Sequence, residues 1–150
     1  MSEALELASQ NVREGRGGPF GAIVVKDGRV IARGANRVTS SNDPTAHAEV
    51  VAIREACRVL GTFQLTGCTI YASCEPCPMC LGALFWARPD AVYFANTQSE
   101  AAEFGFDDSM IYGEVAKPPE ARKLKMIHLP RPNSMESFHL WTESAERIDY

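Results

Sequence analysis

The stretch CTIYASCEPCPMCLGALFWARPDAVYFAN, residues 68–96, leaves a folding chain few choices. It opens with a β-rich run over 68–73 and closes with a second over 91–96. Between them an apolar segment of helical length starts at Pro78 and must stop before Pro89. Proline suits the first turn of a helix, and the residue ahead of a proline is pushed out of helical geometry. Strand, helix and strand joined this tightly describe a parallel crossover unit.

The flanking segments extend that unit into a layered α/β domain with a mixed sheet. FGAIVVKDGRVIARGAN, residues 20–36, holds two β-rich runs joined at Asp27-Gly28, a strong hairpin signal. Ahead of it, residues 3–14 read as a helix with Leu5, Ala8 and Val12 on one face, ended by the glycines of GRGGPFG. SNDPTAHAEVVAIREACRVLG, residues 41–61, reads as a helix capped by Asp43, with Pro44 in its first turn and Gly61 at its end. Its stripe of Val50, Ile53, Cys57 and Leu60 is expected to meet the sheet. Beyond residue 96 come a short helix near 99–104, the acidic GFDDS, a break at Pro118-Pro119 and the apolar run LKMIHL. A last helix is expected from about Asn133, with Glu136 completing a capping box.

At 150 residues, 45% of them apolar, the chain is suited to a single domain, residues 1–150. No apolar run approaches the roughly 18–20 residues that span a bilayer, and MSEALELASQ lacks the pattern of a signal peptide. Five cysteines, crowded and odd in number, argue for a reducing compartment, so the expected location is the cytoplasm. The net charge of −4 and a pI near 5.4 give no basic stripe. Arg122, Lys123, Lys125 and Arg131 read as solvated surface. Those charges favour a small-molecule partner over a nucleic acid, and nothing points to a membrane.

Three thiols fall within SCEPCPMC: Cys74, Cys77 and Cys80. The Cys77-x-x-Cys80 spacing lets two thiolates grip one tetrahedral zinc, at a helix start that favours both anions. A redox dithiol would sit at a helix start too, so what separates the readings is a further ligand. Of the three histidines, His128 lies in an apolar run and His139 in the last helix, whereas His47 stands within TAHAEV, two residues before Glu49. Zinc held by one histidine and two thiolates keeps a fourth position for water, which the metal acidifies. A carboxylate beside it, such as Glu49, then serves as proton shuttle. The competing reading is a closed Cys3His module with Cys74 as fourth ligand and an interaction role. One geometric tension stands: positions two apart on an ideal helix diverge by about 200°, so His47 and Glu49 cannot both lie in a regular helix and face one site.

PTAHAEV and CEPCPMC are similar to the cytidine deaminase superfamily, whose His-x-Glu and Pro-Cys-x-x-Cys signature they contain. GGPFGAIVVKDG, SNDPTAHAEV, IYASCEPCPMCLGALFWARP and GFDDSMIY resemble its bacterial guanine deaminase branch, over about residues 17–112. The resemblance implies a three-layer α/β/α fold around a mixed five-stranded sheet. It also implies one zinc per subunit and hydrolysis of guanine to xanthine and ammonia, a step of purine catabolism. A homodimer is implied as well, with residues 117–150 crossing to the partner. By motif it makes His47, Cys77 and Cys80 the metal ligands and Glu49 the shuttle. Asn36 and the backbone of Ala48 would contact the base, Phe20 and Trp86 would line its pocket, and Tyr150 would close the neighbour's pocket. Asp108 would hold guanine's donor edge, which also makes chemical sense, because N1–H and the 2-amino group are adjacent donors and a carboxylate accepts both. The zinc motif does not separate guanine from a guanine nucleoside, cytosine or a tRNA adenosine, since deaminases of all four share it.

Overall fold

The computed structural model describes all 150 residues and divides into two units, residues 1–109 and 110–150. The first unit contains strands β1 (Gly21–Lys26), β2 (Arg29–Ala35), β3 (Cys68–Cys74) and β4 (Ala91–Asn96) in the order β2-β1-β3-β4. β1 pairs antiparallel with β2 and with β3, and β3 runs parallel to β4, so the sheet is mixed. The hairpin turns at Asp27 and Gly28, whose φ values of 50° and 72° are those of the two-residue turn that matches strand twist.

The sheet has four strands where five were expected. The apolar run 124–129 forms no ladder; it belongs to the second unit, with Leu124 and Ile127 exposed. Prolines at 118–119, 130 and 132 bracket this run, and each removes a backbone donor that a ladder would use.

Two close approaches define the layers. A side chain on Gly21 would strike the backbone of Ala4 and Ala8, so helix α1 (Ser2–Arg13) lies directly on that face. A side chain on Gly34 would strike Ala48 and Ala52 of α3 (Ala48–Leu60). Gly34 pairs with Ala22, the neighbour of Gly21, and side chains alternate faces along a strand. The two helices therefore cover opposite faces, giving three layers. The short α2 (Val38–Ser41) links β2 to the approach to α3, and α4 (Pro78–Ala87) makes the crossover between β3 and β4. The core combines Ala22, Val24, Ile70, Ala52 and Ala56 with Leu84 of α4.

Several sequence expectations shift in register. α1 buries Ala4, Ala8 and Asn11, not Leu5 and Val12, because a glycine strand admits only small side chains at such close range. α3 likewise meets the sheet through Ala48, Ala52 and Ala56, with Ile53, Cys57 and Leu60 packed at the margin. Asp43 does not cap α3; its Oδ1 accepts from the Thr45 N–H and hydroxyl, forming a turn ahead of the helix, which begins only at Ala48. The other elements of the first unit are α5 (Gln98–Glu103), with a capping box between Thr97 and Glu100, and the irregular segment 106–108. The second unit contains α6 (Ser109–Val115), whose first residue ends the first unit, and α7 (Glu136–Glu143). α7 starts at Glu136 without a side-chain cap; Asn133 supplies only a carbonyl to the Glu136 N–H.

Candidate active site

His47 is the residue just outside α3, in extended geometry with φ −68° and ψ 155°. Its backbone N–H donates to the Thr45 carbonyl at 2.8 Å, which bends the chain ahead of the helix. Ala48 is then the first helical residue and Glu49 the second. Because His47 is not helical, the 200° divergence does not apply, and both side chains line one cavity. Glu49 is buried there, at 7% exposure.

Cys77 takes the equivalent place before α4, with φ −63° and ψ 168°, and Pro78 is the first helical residue. The Cys77 Sγ accepts from the Cys80 N–H at 3.5 Å, a hydrogen bond at the positive end of the helix. His47 Nδ1 lies 3.5 Å from the sulfur of Cys77 and 3.5 Å from that of Cys80. Tetrahedral zinc with ordinary bond lengths sets its nitrogen and sulfur ligands about 3.5–3.6 Å apart. Both separations therefore suit zinc, and the three ligand atoms lie within 4.8 Å of one another. Cys74 is outside this group: its buried thiol donates to the Thr97 carbonyl at 3.7 Å.

The electrostatics of the metal-free group agree. The hydrogen bond from the Cys80 thiol, with help from His47 and the Cys80 N–H, pulls the Cys77 thiol down to about 4. The same bond and burial push Cys80 up, so the pair shares one proton. The bond to Cys77 raises His47. Burial raises Glu49, and burial raises the Cys74 thiol to about 11. A closed Cys3His site has no support in this arrangement.

The cavity, about 390 Å³, is lined by Phe20, Asn36, His47, Glu49, Cys77 and Asp108 among others. Phe20 packs edge-on against Phe106, ring centres 4.9 Å apart. The Asn36 Oδ1 accepts from the N–H groups of Gly18 and Val38, leaving Nδ2 as its open donor. Asn11, buried, donates to the Asn36 and Gly18 carbonyls and so ties α1 to this loop. The two acids of GFDDS divide. Asp107 accepts from the Ser109 N–H at 2.9 Å, whereas Asp108 accepts from the Gln98 side chain. Ala48 is buried, its N–H among those at a helix start that lack an intrahelical partner. Trp86, 65% exposed on α4, does not line the cavity of this chain; nor does Tyr150, which packs edge-on against Trp141 in the second unit. Sequence reading missed Gln98, Phe106 and Asn11, because a glutamine, a loop aromatic and a helical asparagine have no spacing signal.

Residues 1–96 match the family described as the cytidine and deoxycytidylate deaminase zinc-binding region. The chain belongs to this family. Over all 150 residues the deaminase is 53% identical to the guanine deaminase of Bacillus subtilis, covering 96% of that protein. An X-ray structure of guanine deaminase from Bacillus subtilis superposes with a TM-score of 0.97 at 54% identity, over 99% of this chain and 95% of that one. The tRNA-specific adenosine deaminase of Aquifex aeolicus is 51% identical over 77 residues, 51% of each chain. A His/Cys/Cys group in a zinc-binding deaminase domain makes zinc the cofactor.

Proposed function

We propose that this deaminase hydrolyses guanine to xanthine and ammonia. The observation that carries this is likeness to a guanine deaminase along the whole chain, where the tRNA adenosine deaminase matches only half. The cavity chemistry supports it. Guanine's N1–H and 2-amino group are adjacent donors, and Asp108 is an acceptor for both; adenine would turn its N1 lone pair toward that carboxylate. Asn36 donates through Nδ2 to a ring acceptor, the Ala48 N–H adds a second backbone contact, and Phe20 stacks against the base.

His47, Cys77 and Cys80 would hold the metal. Bound zinc supplies Lewis acidity that lowers the pKa of an attacking water toward neutrality. The Glu49 carboxylate takes a proton from that water as its oxygen bonds to C2, and delivers it to ring N3. The second proton of the former water then passes through Glu49 to the 2-amino group. The C2–N bond breaks, C2=O forms and ammonia leaves. A carboxyl whose burial raises its pKa suits both taking and returning a proton. The test is a deamination panel of guanine, guanosine, adenine, cytosine and a tRNA anticodon stem, with zinc content measured alongside. Guanine is expected to turn over fastest; faster guanosine would replace the base with its nucleoside.

Residues 1–150 are taken as one deaminase domain that works as a homodimer, segment 117–150 crossing to the partner. In support, no side chain of residues 110–150 is buried, although Leu124, Ile127, Phe138 and Leu140 are each more than 60% exposed. Such a segment does not offset its own ordering entropy without a surface to cover. Leu81 and Phe85 of α4 and Tyr93 of β4 offer one. Trp86 and Tyr150 would contribute to a base pocket through that dimer. Sedimentation should find a dimer, and removal of residues 117–150 should abolish it with the activity; a fully active monomer would end this reading. No helix is long and apolar enough to cross a membrane. All five cysteines are free, as suits the reducing cytoplasm.

A further inference from the structure

We propose that Gln98 is the positioning residue that sets Asp108 for guanine, and that Glu75 and Cys74 hold Gln98 in place. This rests on the guanine role of Asp108 given above. Gln98 lines the same cavity, and its Nε2 donates to Asp108 Oδ1. It is the first residue of α5, and its backbone N–H donates to Glu75 Oε2 at 3.0 Å. The Glu75 N–H donates in turn to the Asn96 carbonyl at 2.8 Å, one step beyond the Cys74–Asn96 pair that ends the β3–β4 ladder. From the other side the Cys74 thiol donates to the Thr97 carbonyl, and Thr97 closes the capping box of α5.

These bonds fix Gln98 to the end of β3, the strand that runs on into Cys77. Asp108, by contrast, stands in the irregular segment 106–108, where its carboxylate has no strand or helix to aim it. A carboxylate free to rotate loses that freedom on binding and pairs less well with two donors fixed in a plane. The Gln98 amide occupies one lone pair of Oδ1 and leaves the remaining acceptor sites to the base. The substrate-reading acid and the two cysteine ligands, Cys77 and Cys80, thus share one strand end as their reference. Glu75 and Cys74, which line the same cavity but stand outside the His47, Cys77 and Cys80 group, acquire a task.

The test is guanine affinity by titration calorimetry on zinc-loaded protein in a Glu49→Gln background, where substrate is not consumed. Gln98→Leu keeps the volume and loses the donor, and should weaken guanine roughly tenfold, the scale of one hydrogen bond to a charged group. Gln98→Glu sets a second carboxylate against Asp108 and should weaken it further. With Asp108→Ala also present, Gln98→Leu should change affinity less than about twofold, because the group it acts through is gone. Glu75→Ala, a second route to the same effect, should show a smaller loss with the same dependence on Asp108. Zinc content and melting temperature should stay those of the parent in each. An equal loss with and without Asp108, or no loss in either, overturns the positioning role. If Asp108→Ala alone leaves guanine affinity unchanged, the guanine role of Asp108 falls first, and the positioning role with it.

Discussion

His47 and Glu49 are two residues apart, and only Glu49 is in a helix. The histidine ends an extended approach and the glutamate sits in the first turn of α3, so a ligand and a carboxyl face one cavity from adjacent backbone. Cys77 repeats the device at α4. Two helix starts therefore converge on the His47, Cys77 and Cys80 group that could hold a metal ion, and both direct their positive ends toward that group.

Glu49→Gln should bind zinc as the parent does and lose turnover by about 10²–10⁴, the usual worth of a positioned general acid–base. The check is kcat beside metal content. Retained activity would remove Glu49 from proton transfer.

The three thiols should behave differently. Cys77→Ala should lose zinc and activity together, while Cys74→Ala should keep its zinc. Because Cys77 is already a thiolate and Cys80 a thiol, zinc uptake should release about one proton, plus the protonated fraction of His47. Zinc affinity should accordingly rise with pH. Calorimetry in buffers of different ionisation enthalpy counts the protons; none released would contradict the shared-proton pair.

Glu49 also makes the metal-free protein sensitive to pH. Its folded pKa lies above the ordinary 4.5, so the folded state binds that proton more tightly than the unfolded one. The resulting stability is complete below 4.5 and is lost as pH rises through the folded value. Metal-free Glu49→Gln escapes this loss. Thermal melts should show the variant a few degrees above its parent at pH 8, with the gap closing by pH 4, where roughly 1 kcal/mol moves a domain of this size by about 3–5 °C. A gap that widens in acid would contradict the sign.

Asp108→Ala should lower guanine turnover by about 10–100-fold, the cost of hydrogen bonds to a charged group. A purine with a 2-amino group but no N1–H, such as 2-aminopurine, should lose less. Steady-state kcat/KM for the two bases makes the comparison. Equal losses would take Asp108 away from base recognition.

Much of the site was legible in sequence because it rests on short-range backbone physics. The Cys77-x-x-Cys80 spacing, the prolines around it, the His47-x-Glu49 pair, the Asp27-Gly28 turn and the strand–helix–strand unit each depend on a few neighbouring residues. Backbone stereochemistry limits what such segments do, whatever surrounds them. The same local logic misread the faces of α1 and α3, where it favoured large apolar side chains. Gly21 and Gly34 bring those helices so close that alanines occupy the contact, and that distance is set between elements.

The tertiary structure decided what joins residues far apart in the chain. It set Asn11 against the carbonyl of Asn36, 25 positions away, and turned the Asn36 amide toward the cavity. It separated Cys74 from the two thiols near it and gave it to Thr97, 23 positions on. It divided Asp107 from Asp108 by bonding one to its own helix start and the other to Gln98. The sheet closed at four strands although a further apolar run was available. Long-range hydrogen bonds and close packing form only once the layers are assembled, and no spacing along the chain encodes them. The sequence by itself determined which groups can do chemistry here; only the assembled fold decided which way each of them points.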